Sequence, residues 1–271
     1  MKNTVTKVIA VALLLGTCVV WIHCDEEGPT EKNDNVKNTD FVAEESVSFK
    51  IAVTDQLRFR LEGINGNVSI VGVSPADSVM ITGEKRVGSD SMADAQEHLQ
   101  ELEVLVQDSA EEIFVETDQP QETHGRSYVV DYTVTLPRDL EVLVTNINGT
   151  AEIESIHNSV TVNSVNGLVT LDEILGSALI GLTNGQITSR VTLPLDGTIE
   201  MITANGVIEL HIPQNTSAEF SAIVGNGLIT LSNLDLKDQV SSANSLSGSL
   251  GEGQGTIALS TGNGNIFVTG F

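Results

Sequence analysis

An Asn-Gly pair returns through the chain at Asn65-Gly66, Asn148-Gly149, Asn166-Gly167, Asn184-Gly185, Asn205-Gly206, Asn226-Gly227 and Asn263-Gly264. From Gly149 onward successive glycines are 18, 18, 21, 21 and 37 residues apart. The last gap divides into 18 and 19 if Asn244-Ser245 is a degenerate copy. A mean period of about 19 residues lies in the range of stacked-repeat architectures, in which one small unit buries its apolar face against its neighbours.

Aligning the repeats on the glycine exposes columns. Two residues after it stand Val68, Ala151, Val169, Ile187, Ile208, Ile229 and Ile266. Four after it stand Ile70, Ile153, Leu171, Ser189, Leu210, Leu231 and Val268, with mostly polar residues between the two columns. Five before it come Leu61, Val144, Val162, Ile180, Met201, Ala222 and Leu259, and seven before it Phe59, Val142, Val160, Ala178, Ile199, Phe220 and Ile257. Both flanks alternate with period two, as half-buried strands do. Each repeat therefore reads as two short strands joined at an Asn-Gly corner, where both residues tolerate positive φ.

Asn-Gly between strands is also the strongest short hairpin signal. In a two-residue hairpin the position three before the glycine would face the inward column, yet it holds Gly63, Asn146, Ser164, Leu182, Thr203, Val224 and Thr261. Stacking like on like suits these residues better and turns the asparagines into a ladder. The expected fold is all-β: a β-solenoid, β-helix-like, of about seven two-strand rungs. Residues 46–140 form its N-terminal strand and short-helix capping segment, with the helix starting at an N-cap Ser91, and residues 141–271 carry the repeats. An outer-membrane barrel is disfavoured, since spanning strands need about 9–11 residues and aromatic girdles, whereas aromatics are 4% of this chain. The strand after Gly264 reads as an uncovered edge, with Phe267 and Phe271 either folded over it as a plug or meeting a second copy. Self-association at this C-terminal rung is the corresponding partner expectation.

Lys2 and Lys7 precede an apolar run from Val8 to Ile22, 15 residues long, short of the ~20 that span a bilayer. A basic start and a short apolar core read as an export signal over residues 1–24. Both cysteines lie there, and Cys24, followed by Asp25 and Glu26, is the candidate lipidation site of an envelope lipoprotein. Cys18, after Leu15-Gly16-Thr17, is the alternative, because Trp21-Ile22-His23 makes a poor approach to Cys24. Residues 25–45 are polar and read as an acidic flexible tether of roughly 25 Å. The chain is thus expected to be exported to the bacterial cell envelope and held on a membrane by an N-terminal lipid or signal anchor.

With 13 Lys+Arg against 37 Asp+Glu the net charge is −24. That acidity repels phosphate backbones, so nucleic acid is excluded as a partner. No nucleophile elbow or phosphate-binding loop occurs. The glycines around Gly251-Glu252-Gly253 and Gly262-Asn263-Gly264 read as turns, without the aspartate of calcium-binding repeats. His98, His124, His157 and His211 share no metal-ligand spacing. No catalytic, metal or cofactor residues are assigned. Carboxylate pairs such as Asp172-Glu173, or Asp235 with Asp238, leave one alternative, a polysaccharide-acting enzyme on a β-helix scaffold. An arginine or lysine gathered with them in one groove would favour it. A stripe after the corner, Leu168, Val207 and Leu228 beside Gln186 and Asn265, is a second candidate surface if it faces solvent.

Gly63-Ile64-Asn65-Gly66-Asn67-Val68, the insert bearing Ala93-Asp94-Ala95 and His98-Leu99, the run Arg126-Ser127-Tyr128-Val129-Val130-Asp131-Tyr132, and the later Asn-Gly repeats together resemble the bacterial "putative-adhesin" β-strand repeat family, related to GIN-type head domains. The resemblance covers about Ser46 to Phe271. It implies an exported, coiled-strand, non-catalytic module with an unknown protein or polysaccharide ligand.

Overall fold

The computed structural model describes residues 39–271. The expected export signal, Cys18, Cys24 and most of the expected tether lie outside the described residues. In chain order the elements are β1 (Phe41–Ala52), β2 (Arg58–Glu62), β3 (Val68–Val73), β4 (Ser78–Ser89), helix α1 (Met92–His98), a 3-10 turn (Leu99–Glu101), β5 (Glu103–Asp108), β6 (Glu112–Asp118), β7 (Ser127–Pro137), β8 (Glu141–Glu154), β9 (Val160–Ile174), β10 (Ala178–Val191), β11 (Thr198–Ile212), β12 (Ala218–Asn226), β13 (Ile229–Ser232), β14 (Leu236–Ser241), β15 (Ser245–Leu250), β16 (Gly255–Asn263) and β17 (Ile266–Gly270). The chain is all-β apart from α1 and the turn, and its seventeen strands join one hydrogen-bonded sheet that does not close on itself. β1 starts inside the segment read as tether, because residues 41–45 pair with β4. Pairing also crosses the 140/141 boundary, since β2 and β3 both pair with β8.

Each repeat has two limbs, and the repeats lie parallel, glycine on glycine in the central layers: Gly149 pairs Gly167, and Gly185 pairs both Gly167 and Gly206. The corner differs from the two-strand expectation. In β8 to β11 pairing continues through the Asn-Gly bend, so each is one strand of 14 or 15 residues. The four alternating columns are buried throughout, except that Ile229 and Leu231 are half-buried. The position three before the glycine is a further inward column, with Asn146, Ser164, Leu182, Thr203, Val224 and Thr261 all buried. Its polar members serve the corner: Asn146 Nδ2 donates to Gly66 O (3.0 Å) and Thr261 Oγ1 to Gly206 O (3.0 Å).

The order of the layers is not the order of the chain. First limbs run β6–β2–β8–β9–β10–β11–β16–β12. Second limbs run β7–β3–β8–β9–β10–β11–β17–β13, and every pair in both series is parallel. The last repeat is thus inserted between β11 and the Gly227 repeat, which corrects the expected terminal edge. β17 is paired on both sides, Ile266 matching both Ile208 and Ile229, so the strand that carries Phe267 is not the open edge expected of it. The physical reason lies in the loop that follows β13. Asn244-Ser245 is not a degenerate corner; it leads into β15, which lies antiparallel on β12, with β14 antiparallel outside it. That hairpin occupies the outer side of β12 and leaves only the slot beside β11 for β16 and β17.

Antiparallel strands also close the other end, β5 on β6, and β4 on β7 with β1 beyond. Three of the four limb ends are therefore covered. The fourth, β13, pairs only with β17 among the described residues. At the first end α1 is tied down by a polar cluster. Arg126 donates twice to Asp94 (2.6 and 2.7 Å), Ser89 also donates to Asp94, and Ser91 Oγ caps the helix by accepting from Asp94 N (3.2 Å). Tyr132 is buried, its hydroxyl 2.7 Å from Thr117 Oγ1, and burial pushes its pKa up to about 12.

Candidate functional site

On the outer face of the second limbs, alternate residues point to solvent in rows that cross the layers. The fifth position after the corner glycine holds Asp172 on β9, Arg190 on β10 and His211 on β11. Arg190 and His211 are register partners. On its other side β9 carries a bulge: Ser189 pairs with Leu171 and Val191 with Ile174, so Asp172 and Glu173 together stand opposite Arg190. Bulges re-aim side chains and interrupt pairing. Here Glu173 takes φ +53°, in the left-handed region that such residues rarely enter.

Phe271 completes the group. Its backbone is pinned to the end of β11, Phe271 N–H donating to Ile212 O (3.0 Å) and Gln214 N–H to Phe271 O (3.1 Å). That places its ring 4.4 Å from the Arg190 guanidinium carbon, a cation–π contact. Two shallow depressions meet at Arg190 and Phe271. One, of about 450 Å³, is lined by Thr170, Asp172, Thr188, Arg190, His211 and Phe271. The other, of about 310 Å³, adds His157, Glu173, Leu175 and Thr192. Only Arg190 and Lys237 are basic between residues 141 and 271, so a cation with two acids, two imidazoles and a ring beside it stands out on this surface.

Chemically the arrangement offers hydrogen-bond donors and acceptors around an apolar ring, exposed to water. Asp172, Glu173 and Arg190 are exposed. Neither acid is buried or desolvated in the manner of a tuned general acid. At the α1 end, hydrogen bonds from Arg126 hold Asp94 well below the usual carboxylate range, and the hydrogen bond from His98 lowers Glu101. Both brace α1. Among the described residues no group of three or more His, Cys, Asp or Glu side chains is placed to hold a metal.

The structure brings together the Asp172-Glu173 pair and His211, which the sequence flagged separately, with His157 at the margin. It does not bring Asp235 or Asp238 to them; these are exposed near the β14 hairpin. Arg190 and Phe271 were missed as site residues. The column at glycine plus five reads Asp172, Arg190, His211 and was available in the sequence, whereas Phe271 reaches the site only through the inserted last layer. The proposed stripe is not continuous: Leu168, Gln186, Val207 and Asn265 are half-buried, and Leu228 alone is widely exposed, at 69%.

The corner row is a hydrogen-bonded asparagine ladder. Each Nδ2 donates to the Oδ1 of a neighbouring layer: Asn148 to Asn65, Asn166 to Asn148, Asn184 to Asn166, Asn205 to Asn184, Asn263 to Asn205 and Asn226 to Asn263, all at 2.8–3.0 Å. Its first member, Asn65, donates to Tyr128 O (3.1 Å).

No family model and no curated protein matches the chain. Among solved structures it is similar to a chain named a "putative cell adhesion protein" from Clostridium sporogenes, at TM-score 0.47 and 15% identity, over 84% of this chain and 100% of that one. It is also similar to chains named "putative adhesin" from Bacteroides fragilis (TM-score 0.37, 12% identity, 83% and 97% covered) and Parabacteroides merdae (TM-score 0.33, 12% identity, 86% and 98% covered).

Proposed function

We propose that the chain is a non-catalytic, adhesin-like binding module of the bacterial cell envelope, a β-solenoid carried on an N-terminal lipid at Cys24 or, failing that, Cys18. Its ligand in this reading is a saccharide, held at the Arg190 depression. The observation that carries the reading is the convergence of Asp172, Glu173, Arg190, His211 and Phe271 on one shallow, open face. Sugars are bound by such sets, hydroxyls bridging acids and guanidinium while a ring packs on the C–H face. Parallel in-register layers beneath fix the geometry, as a site built on strands requires.

The same convergence is what the enzymatic alternative asked for, two carboxylates with an arginine in one groove. One experiment separates the two. The purified chain is titrated calorimetrically against neutral and uronate-containing oligosaccharides, and the same mixtures are assayed for new reducing ends. Saturable binding without new ends, lost in Arg190→Gln and Phe271→Ala, is the expected outcome. New ends that vanish in Asp172→Asn or Glu173→Gln would replace the binding module with an enzyme, and the absence of any binding would remove the site. Lipid-analogue labelling of cells expressing wild type and Cys24→Ser tests the anchor; equal labelling moves it to Cys18.

A further inference from the structure

The asparagine ladder is directional, and its two ends are unlike. At one end Asn65 Nδ2 is taken up by Tyr128 O. At the other, Asn226 donates to Asn263, but no described group donates to Asn226 Oδ1. The backbone runs the opposite way, its glycine N–H groups pointing toward the Asn226 end while the side-chain Nδ2 groups point toward the Asn65 end. Gly66 N–H donates to Asn148 O (3.0 Å) and Gly264 N–H to Asn226 O (2.8 Å), each reaching into the next layer. Gly149, Gly167, Gly185 and Gly206 lie within the continuous paired strands β8 to β11. Gly227 is the exception. It belongs to the last layer, falls in the break between β12 and β13, and its N–H has no described acceptor. Asn226, Gly227 and Leu228 are all exposed.

That difference matters because an Asn-Gly pair carries a latent reaction. The nitrogen of the glycine can attack the asparagine side-chain carbonyl, unhindered by any Cβ on the attacking residue. The structure assigns Asn226 as the site of spontaneous deamidation in this chain, with the six other Asn-Gly pairs protected by the stack. Gly227 N loses its proton to solvent and bonds to Asn226 Cγ. The Cγ–Nδ2 bond breaks and ammonia departs with a proton, leaving a five-membered succinimide. Water then adds to one of the two ring carbonyls and opens the ring to aspartate or isoaspartate. The balance is asparagine plus water giving aspartate plus ammonia, with no redox partner. Gly66 and Gly264 already engage their N–H with the next layer, and Gly149, Gly167, Gly185 and Gly206 sit inside paired strands, so reaction in these six pairs must wait for local opening.

The product acts on the fold. A carboxylate at position 226 has no hydrogen to donate to Asn263 Oδ1, so the end rung of the ladder is lost and two hydrogen-bond acceptors, an anionic carboxylate and an amide carbonyl, face each other. An isoaspartate also lengthens the backbone by one carbon and displaces β13 from register. Deamidation therefore loosens the Gly227 layer while leaving β8 to β10 intact.

The test incubates the native full chain at 37 °C and follows each Asn-Gly peptide by mass spectrometry, resolving aspartate from isoaspartate. A parallel sample is held unfolded in denaturant. Native chain is expected to convert Asn226 roughly tenfold or more faster than any other pair, since strand-paired amides react only when they open. The unfolded chain is expected to convert all seven at similar rates. A different pair leading in the native chain, or no preference among them, overturns the assignment. Amide exchange of Asn226→Asp supplies a second reading: faster exchange confined to Ile229–Ser232 and their β17 partners is expected, and unchanged exchange there overturns the claim that the product loosens the layer.

Discussion

Corner glycines and the columns beside them set the repeat at the scale of single residues. All seven take φ between +123° and +157°, and each also lies under the carbonyl of its neighbour. A methyl group at Gly167, Gly185 or Gly206 would stand 1.8, 1.7 or 1.6 Å from the oxygen of the glycine in the adjoining layer. Backbone strain and a clash with backbone thus act together, and neither neighbour can yield without breaking the stack. Gly185→Ala is therefore expected to cost at least about 3 kcal/mol in chemical denaturation. Gly181→Ala, four residues earlier, would meet only the Asn163 side-chain oxygen at 3.0 Å, and its cost should stay within about 1 kcal/mol. Equal losses would show that glycine is needed at the corner for neither reason.

Among the elements, α1 shows how charge pins a segment that offers little apolar surface. Ala95 is its one buried residue, so its attachment rests on Arg126, Ser89 and Asp94. Hydrogen bonds from Arg126 depress the Asp94 carboxyl in the folded chain, and the His98 contact depresses Glu101. A depressed folded pKa stabilises fully above the unfolded value and is lost as pH falls through the folded one. The window therefore opens below about pH 4, the ordinary carboxylate range. Amide exchange over Met92–His98 should accelerate below that pH, well before the β8–β10 layers respond. In Asp94→Asn the helix should already be loosened at neutral pH and its exchange should depend less on acid. Acid sensitivity of the helix identical to wild type would remove the ion pair as the cause.

For the whole molecule the decisive feature is the inserted last repeat. β16 and β17 separate β11 from β12 and β13, so the layer completed last in the chain is structurally internal. Removing residues 265–271 would deprive β13 of its sole described strand partner and uncover one side of the second limb of β11. The expected result is loss of amide protection over Ile229–Ser232 and Ile208–Ile212, with β8 and β9 still protected. The Arg190 site should fail at the same time, since Phe271 is gone. Protection retained in β13 would mean that the slot beside β11 does not govern that end of the stack.

Period, columns, corner chemistry, the short helix and its N-cap were all legible in the chain, because each depends on residues close in sequence: alternation for burial, Asn-Gly for positive φ, serine for an orphan N–H. The acid, arginine and histidine at glycine plus five were legible in the same way, once register is assumed. Layer order was not. Every repeat presents nearly the same columns above and below, so local patterning is indifferent to which repeat stacks on which. That choice fell to the β14–β15 hairpin, which covers the outer side of β12 antiparallel and leaves one slot free. Only the tertiary structure could therefore place β17 inside the stack, set Phe271 against Arg190, and leave Asn226 and Gly227 at the uncovered end.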